Sequence, residues 1–288
     1  DFAEATTTDS VTMASPKSSP DFAEATTTDS VTMASPKSGS RGHTVGMRAL
    51  GATADELLGV APDEVGRLDP GEHERYLGHA EQLVRSVSWE GARGVEVTDE
   101  MIHTVAAHAA QLVAGFPVAA DPYRNVRAVV LHAGTIVTRH PRPGPLPGMY
   151  TSGPQYLAGQ SGHGRGPVLL DWRTVRREVA SPERGVNVVY HEFAHKLDQL
   201  DGAADGMPPL PGREARAAWR QTLGTNLRRL QRRGSDGLVR AYAATNPAEY
   251  FAVTSELFFT RPLDLRERLP RVYQRLAEFY RQDPASRR

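Results

Sequence analysis

The segment 191–195, HEFAH, constrains this chain more than any other part of its sequence. Residues four apart on a helix lie on one face, so the imidazoles of His191 and His195 converge on one point. Two imidazoles and at least one further protein ligand make up a catalytic zinc site. Glu192 lies beside the ligand face, where it can take a proton from a zinc-activated water. The competing interpretation is an amphipathic helix with two histidines on its polar face.

The residues around this motif predict the helix on which it depends. Asn187 is suited to cap the start of the helix, and Gly202 is suited to end it. The apolar residues between them recur at near-3.6 spacing, as in a half-buried helix. They are Val188, Val189, Phe193, Ala194, Leu197 and Leu200.

Composition excludes several classes of protein. The chain has 288 residues, no cysteine and a formal net charge of +0. The missing cysteines exclude disulfides, a thiol nucleophile and a cysteine zinc finger. The balanced charge argues against a nucleic-acid partner or an acidic membrane partner. The most apolar long window, residues 104–120, is too short and too polar to span a bilayer, and no signal peptide is predicted.

The chain divides into three predicted regions. Residues 1–18 and 21–38 are identical and poor in apolar side chains, so residues 1–40 are predicted to be a disordered repeat or an expression-derived segment. Residues 41–97 are predicted to be a helical N-terminal region, with a helix starting after Asp69. Residues 98–288 are predicted to be a zinc-peptidase catalytic domain.

The middle of the chain carries strand signals. Residues 126–131 and 135–138 flank a short turn and predict a hairpin. A glycine-rich loop, residues 159–166, precedes a predicted strand at 168–172, and it lacks the pattern of a phosphate-binding loop. The loop is either a flexible loop beside an edge strand, or the strand that follows it is an edge strand that pairs with an extended peptide substrate.

Three acidic residues are candidates for the third metal ligand: Asp201, Glu249 and Glu256. Asp201 lies ten residues after His191, but the turn before it holds Asp198 instead of a glycine, which makes the required turn less favourable. Asp198 could instead hold an imidazole in orientation, and Glu256 could do the same.

Glu249 has an alternative role in helix capping. It stands third after Asn246, with Pro247 at the first helical position, which is a relative of the capping box. Spacing alone supports a capping role and a metal-ligand role for Glu249 about equally. A structural zinc ion would need four ligands, and the sequence offers no fourth candidate of equal quality.

Four segments together resemble the Mlc titration factor A family of bacterial zinc metallopeptidases. The longest are HEFAHKLDQLDG at 191–202 and ATNPAEYFAVTSELFF at 244–259. GRGPVLLDW at 164–172 and TDEM at 98–101 fit the same pattern. The resemblance covers roughly residues 55–285, and the catalytic core is also similar to that of anthrax lethal factor.

The resemblance implies a site and a fold. One zinc ion per chain is held by His191, His195 and Glu249, Glu192 is the general base, and Tyr242 donates to the oxyanion. Without the resemblance, Tyr242 would be interpreted as a buried packing residue. The implied fold is α+β with a gluzincin-like zinc-peptidase core. That core has an HExxH active-site helix, a small mixed sheet with an edge strand, and a helical N-terminal part.

The implied function is zinc-dependent peptide hydrolysis with aminopeptidase-type activity, on a peptide substrate in the cytoplasm. The alternative is a regulatory protein that sequesters a transcriptional repressor, with hydrolysis secondary. The intact motif favours the enzyme, since a pure binding protein needs no general base.

Overall fold

The computed structural model describes residues 53–134, 136–138, 142–143, 150–151, 155–157, 159–161, 164–235 and 237–287. These residues form a mixed fold that is rich in helix. The α-helices are α1 (Ala54–Leu58), α2 (Pro70–Ser86), α3 (Asp99–Val113), α4 (Trp172–Val179), α5 (Val188–Asp198), α6 (Gly212–Arg233), α7 (Pro247–Thr260), α8 (Pro262–Arg268) and α9 (Pro270–Tyr280). The repeat predicted at residues 1–40 lies outside the described residues.

The strands are β1 (Ser88–Gly91), β2 (Ala128–His132), β3 (Ile136–Thr138), β4 (Arg142–Pro143), β5 (Tyr150–Thr151), β6 (Gln155–Leu157), β7 (Gly159–Ser161) and β8 (Val168–Asp171). Four of them form a mixed sheet in the order β1-β2-β8-β7. The first three strands are parallel, and β7 is antiparallel to β8. The predicted small mixed sheet is therefore present. The predicted edge strand at 168–172 is wrong, because β8 lies between β2 and β7, and β7 forms an edge instead.

The predicted hairpin of residues 126–131 and 135–138 is wrong. Strand β2 pairs in parallel with β1 on one side and with β8 on the other, so both of its edges are occupied. Strand β3 instead pairs with β6 in a separate two-stranded sheet. The buried side chains of Val129 and Leu131 specify a strand, but they cannot specify which distant strand lies beside it.

Local capping explains where the main helices begin. The side chain of Asp69 accepts from the backbone N–H of Glu72 at 2.8 Å, and Pro70 occupies the first turn of α2, as predicted. Helix α3 starts after Thr98, whose hydroxyl accepts from the N–H of Met101. Strand β1 lies in the predicted N-terminal region, yet it pairs with β2 of the predicted catalytic domain.

Helix α5 lies in the middle of the fold. It packs against α3, α4 and α7, and against strands β7 and β8 of the sheet. The Oδ1 of Asn187 caps its first turn, accepting from the N–H groups of Val189 at 3.0 Å and Tyr190 at 3.2 Å. Gly202, in a left-handed conformation with φ of 94°, follows the short turn after the helix.

Aromatic packing holds helix α7 against α6 and α9. Phe251 meets Trp219 of α6 edge-on, with ring centroids 5.6 Å apart, and Phe258 lies 5.6 Å from Tyr280 of α9. This packing fixes the rotation of α7 about its axis. Within the described residues, no helix combines the length and apolar character that crossing a membrane requires.

Candidate metal centre

Helices α5 and α7 bring together two imidazoles and one carboxylate. The Nε2 atoms of His191 and His195 are 3.2 Å apart. The Oε2 of Glu249 lies 3.0 Å from Nε2 of His191 and 3.6 Å from Nε2 of His195. Among the described residues, this trio is a group whose donor atoms could share one metal ion.

The spacing of these three atoms fits a tetrahedral metal. Ligands at about 2.0–2.1 Å from a tetrahedral ion stand about 3.3 Å from one another. The three observed separations, 3.0, 3.2 and 3.6 Å, bracket that value. Two nitrogens and one carboxylate oxygen are also the donor types that zinc takes in catalytic sites. The residues present therefore fit the ion that the sequence implies.

The electrostatics of the trio favour a positive charge between its atoms. Burial alone lowers the pKa of His191, but the carboxylates of Glu249 and Glu256 outweigh it and raise that pKa to about 10. Burial alone raises the pKa of Glu249, but hydrogen bonds from His191 and His195 hold it well below its ordinary value. Without a metal, a proton on His191 supplies that charge, and a metal cation would replace the proton.

At the start of α7, the backbone and the side chain of Glu249 have different contacts. The Oδ1 of Asn246 accepts from the backbone N–H of Glu249 at 2.9 Å, and Pro247 occupies the first turn. The cap therefore uses the backbone of Glu249, while its side chain faces the two imidazoles. Capping and metal binding are compatible at this position.

Glu256 contacts His191, where it could play the orienting role considered from the sequence. It lies two turns after Glu249 on α7 and is 1% exposed. Its Oε1 accepts from Nδ1 of His191 at 2.7 Å, which turns Nε2 of that ring toward Glu249. Its Oε2 accepts from the backbone N–H of Asn187 at 2.8 Å, so the same carboxylate also anchors the start of α5.

Asp198 and Asp201 both accept from backbone N–H groups of the loop after α5. The Oδ1 of Asp201 accepts from the N–H of Ala203 at 3.2 Å, and Asp201 is exposed outside the metal-binding trio. Asp198 is buried, and its Oδ2 accepts from the N–H of Gly206 at 2.9 Å instead of orienting an imidazole. Burial raises the pKa of Asp198 to about 7.

Glu192 lies between the trio and the sheet edge. Its side chain is buried, and its Cγ and Oε1 both come within 2.7 Å of where a Cβ on Gly159 of β7 would stand. Burial raises the pKa of Glu192 above its ordinary value, against the lowering effect of His191 and His195. The predicted base therefore lies against the edge strand, next to the ligands.

Tyr242 is on the surface of the site. It is 45% exposed, in a single-turn helix at Ala241–Ala244, and its ring centroid lies 6.1 Å from that of His191. The interpretation of Tyr242 as a buried packing residue is therefore wrong. Its position beside the ring of His191 suits a donor to a bound substrate.

A family model described as the glucose-regulated metallo-peptidase M90 family matches residues 45–281, a range that holds every site residue discussed above. This chain belongs to that family. Three relatives named Mlc titration factor A agree with the match. The one from Serratia proteamaculans is 34% identical over 229 residues, which cover 76% of this chain and 84% of the relative.

Two further relatives align over a shorter stretch. The proteins from Edwardsiella ictaluri and Yersinia pestis are 46% and 41% identical over 146 residues. That stretch covers 49% of this chain in both cases, and 54% and 53% of the respective relatives. In these two alignments the chain spans about half the length of the relatives. The matches confirm the family resemblance found in the sequence.

Around this M90 site, the structure adds contacts that sequence reasoning missed. The Nδ1 of His108 on α3 lies 3.1 Å from Nδ2 of Asn187, so α3 holds the residue that caps α5. Burial lowers the pKa of His108 to about 3, which keeps its ring neutral. The Nζ of Lys196 donates to the carbonyl of Gly166 at 2.8 Å and ties α5 to the segment before β8. These contacts join residues at least 30 positions apart, so no local pattern signals them.

Proposed function

We propose that this protein is a zinc-dependent peptidase with aminopeptidase-type activity. One observation carries the proposal: two imidazole nitrogens and a carboxylate oxygen stand 3.0–3.6 Å apart, with Glu192 beside them. A purely structural metal site has four protein ligands and no base next to them. Membership of a metallopeptidase family supports the same reaction class.

In this proposal, His191, His195 and Glu249 hold the zinc ion. When bound, zinc polarises the scissile carbonyl and makes water more acidic. Glu192 takes a proton from the attacking water and passes it to the leaving amine. Burial raises the pKa of Glu192, which brings that pKa closer to neutral pH. Such a pKa suits a group that must accept a proton and then donate it. Tyr242 donates a hydrogen bond to the developing oxyanion.

Strand β7 would present the substrate. It pairs with β8 on one side, and within the described part of the chain no strand pairs with its other side. An extended peptide can add to such an edge through main-chain hydrogen bonds. A peptide on β7 would lie beside Glu192, since Gly159 of β7 is in close contact with that side chain.

The second candidate is a regulatory role. In this candidate the protein binds and sequesters a transcriptional repressor, and the name of the relatives, Mlc titration factor A, fits a regulatory role. Hydrolysis would then be secondary. Both candidates include the cytoplasmic location that the family resemblance implies. The buried carboxylate of Glu192 favours the enzyme, because repressor binding gives no reason to bury an acid beside a metal site.

The test is hydrolysis of a peptide library by zinc-loaded protein, with Glu192→Gln as the matched control. Each peptide is supplied with a free and with an acetylated N-terminus. We expect the wild type to cleave only the free peptides, and the variant to keep its zinc and lose at least about 10²-fold in rate. No cleavage by the zinc-loaded wild type would reject the peptidase. Equal cleavage of acetylated peptides would reject only the aminopeptidase assignment.

A further inference from the structure

Four carboxylates converge behind and beside the candidate metal centre. Glu178 and Glu256 accept from the adjacent backbone N–H groups of Val188 and Asn187, at 2.7 and 2.8 Å. Glu192 is buried further along the same helix, and Glu249 reaches His191 from α7. Buried carboxylates that repel one another need a cation or strong donors to stay in one arrangement. The metal would meet this need on the side of Glu249, whereas Glu256 lies behind His191, away from the ligand atoms.

The guanidinium of Arg240 supplies a cation on the side of Glu256. Its Nη2 forms an ion pair with Oε1 of Glu256, and its side chain is 36% exposed, so it reaches the buried carboxylate from the surface. The Nη2 also lies 3.3 Å from Nδ1 of His191. That nitrogen already donates its proton to Glu256 at 2.7 Å, so it has no lone pair for the guanidinium. The guanidinium and the imidazole therefore share one oxygen of Glu256.

This shared oxygen makes the orientation of His191 depend on Arg240. If Oε1 of Glu256 rotates away, the Nδ1 proton loses its acceptor. The ring is then held through Nε2, by Oε2 of Glu249 at 3.0 Å and Nε2 of His195 at 3.2 Å, which are the atoms that would bind the metal. Arg240 also lies with its guanidinium carbon 5.9 Å from the ring centroid of Tyr242. It is therefore in contact with both the ligand-orienting carboxylate and the proposed oxyanion donor.

We propose that Arg240 is a positioning residue of the metal centre: it aims Glu256 at His191 and so sets the ring for metal binding. The inference rests on the proposed metal site. A guanidinium suits this task because its planar donors are rigid, whereas the ammonium of a lysine acts as a point charge on a flexible stem. Arg240→Lys should therefore restore only part of what Arg240→Met and Arg240→Gln lose.

The experiment is a zinc-affinity measurement by chelator competition, which is independent of peptidase activity. Arg240→Met and Arg240→Gln should each weaken zinc binding about 10-fold, the lower end for groups that orient a ligating histidine. The control is Arg261→Met, which removes an arginine of similar exposure that pairs with Asp264 at 2.7 Å. It should bind zinc as the wild type does.

A double variant separates positioning from simple destabilisation. Glu256→Gln combined with Arg240→Met should bind zinc no more weakly than Glu256→Gln alone, because both changes act through one contact. Wild-type affinity in both folded Arg240 variants would overturn this inference alone, as would fully additive losses. If the wild type bound no zinc, the proposed metal site would fail and this inference with it.

Discussion

Replacing Gly159 with alanine perturbs the predicted base without touching a metal ligand. The new Cβ would stand 2.7 Å from Cγ and from Oε1 of Glu192, and 2.7 Å from Cγ2 of Val188. Carbon atoms pack at about 3.5–4.0 Å, so these atoms or the strand must shift by about 1 Å. The carboxylate of Glu192 is the movable part, since Val188 begins a capped helix.

The size of the effect follows from that shift. A displacement of about 1 Å in a reacting group can cost about 10²-fold in rate. We therefore expect kcat of Gly159→Ala to fall about 10²-fold. Zinc affinity should stay near that of the wild type, because the three atoms nearest the new Cβ belong to Glu192 and Val188 and not to His191 or His195. Overpacking of this kind also costs about 1–3 kcal/mol of stability.

Steady-state kinetics, zinc content and thermal unfolding should be measured on one preparation. The matched control is Gly134→Ala, at a glycine with nothing within 4 Å of the added Cβ and no left-handed φ. It should keep full activity and should unfold near the wild-type temperature. A folded, zinc-loaded Gly159→Ala protein with wild-type kcat would show that Glu192 is not the base or that its position against β7 does not matter.

Three further changes test other parts of the account. Glu249→Ala should lower zinc affinity sharply and Asp201→Ala should not, as measured by chelator competition; the reverse order would select Asp201 as the ligand. Tyr242→Phe should lower kcat and kcat/KM together by about 10²–10³-fold with little change in unfolding temperature, since the ring is 45% exposed; a fully active variant would remove Tyr242 from the site. In the metal-free protein the folded-state pKa of Asp198, about 7, lies above its usual 3.8, so folding binds a proton and Asp198 costs stability as pH rises through that window. Asp198→Asn should therefore raise the free energy of unfolding at pH 8 by at most about 4 kcal/mol and should give no such gain at pH 4; an equal gain at both values in urea titrations would contradict this.

Local patterns in the sequence predicted the helices near the site. Asn187 and Asp69 cap α5 and α2 as expected, because a cap needs only residues within one turn of it. The strand pairing at residues 126–138 was wrong for the opposite reason. In the sheet register the partners of β2 stand 40 residues earlier, as Ser88 does to Ala128, and 39 residues later, as Val168 does to Val129. Alternating apolar residues carry no information about such partners.

In the candidate site, too, local patterns predicted some residues, whereas the contacts of others depend on tertiary packing. His191 and His195 follow from helix periodicity, whereas spacing left Glu249 open between cap and ligand until the family resemblance selected it. Asp198 was a candidate for orienting an imidazole because it shares the ligand face, but its side chain turned to Gly206. Arg240 gave no signal in the sequence, since its contact with Glu256 depends on how the turn before α7 folds back against that helix.

Anomalous diffraction at the zinc edge, from crystals grown with zinc, tests the central claim most directly. The account predicts one anomalous peak per chain, about 2.0–2.1 Å from Nε2 of His191 and of His195 and about 2.0–2.2 Å from Oε2 of Glu249. The same map should show Nδ1 of His191 on Glu256 and a position left open for water. The absence of a peak at these three atoms, or a site closed by a fourth protein ligand, would contradict the account.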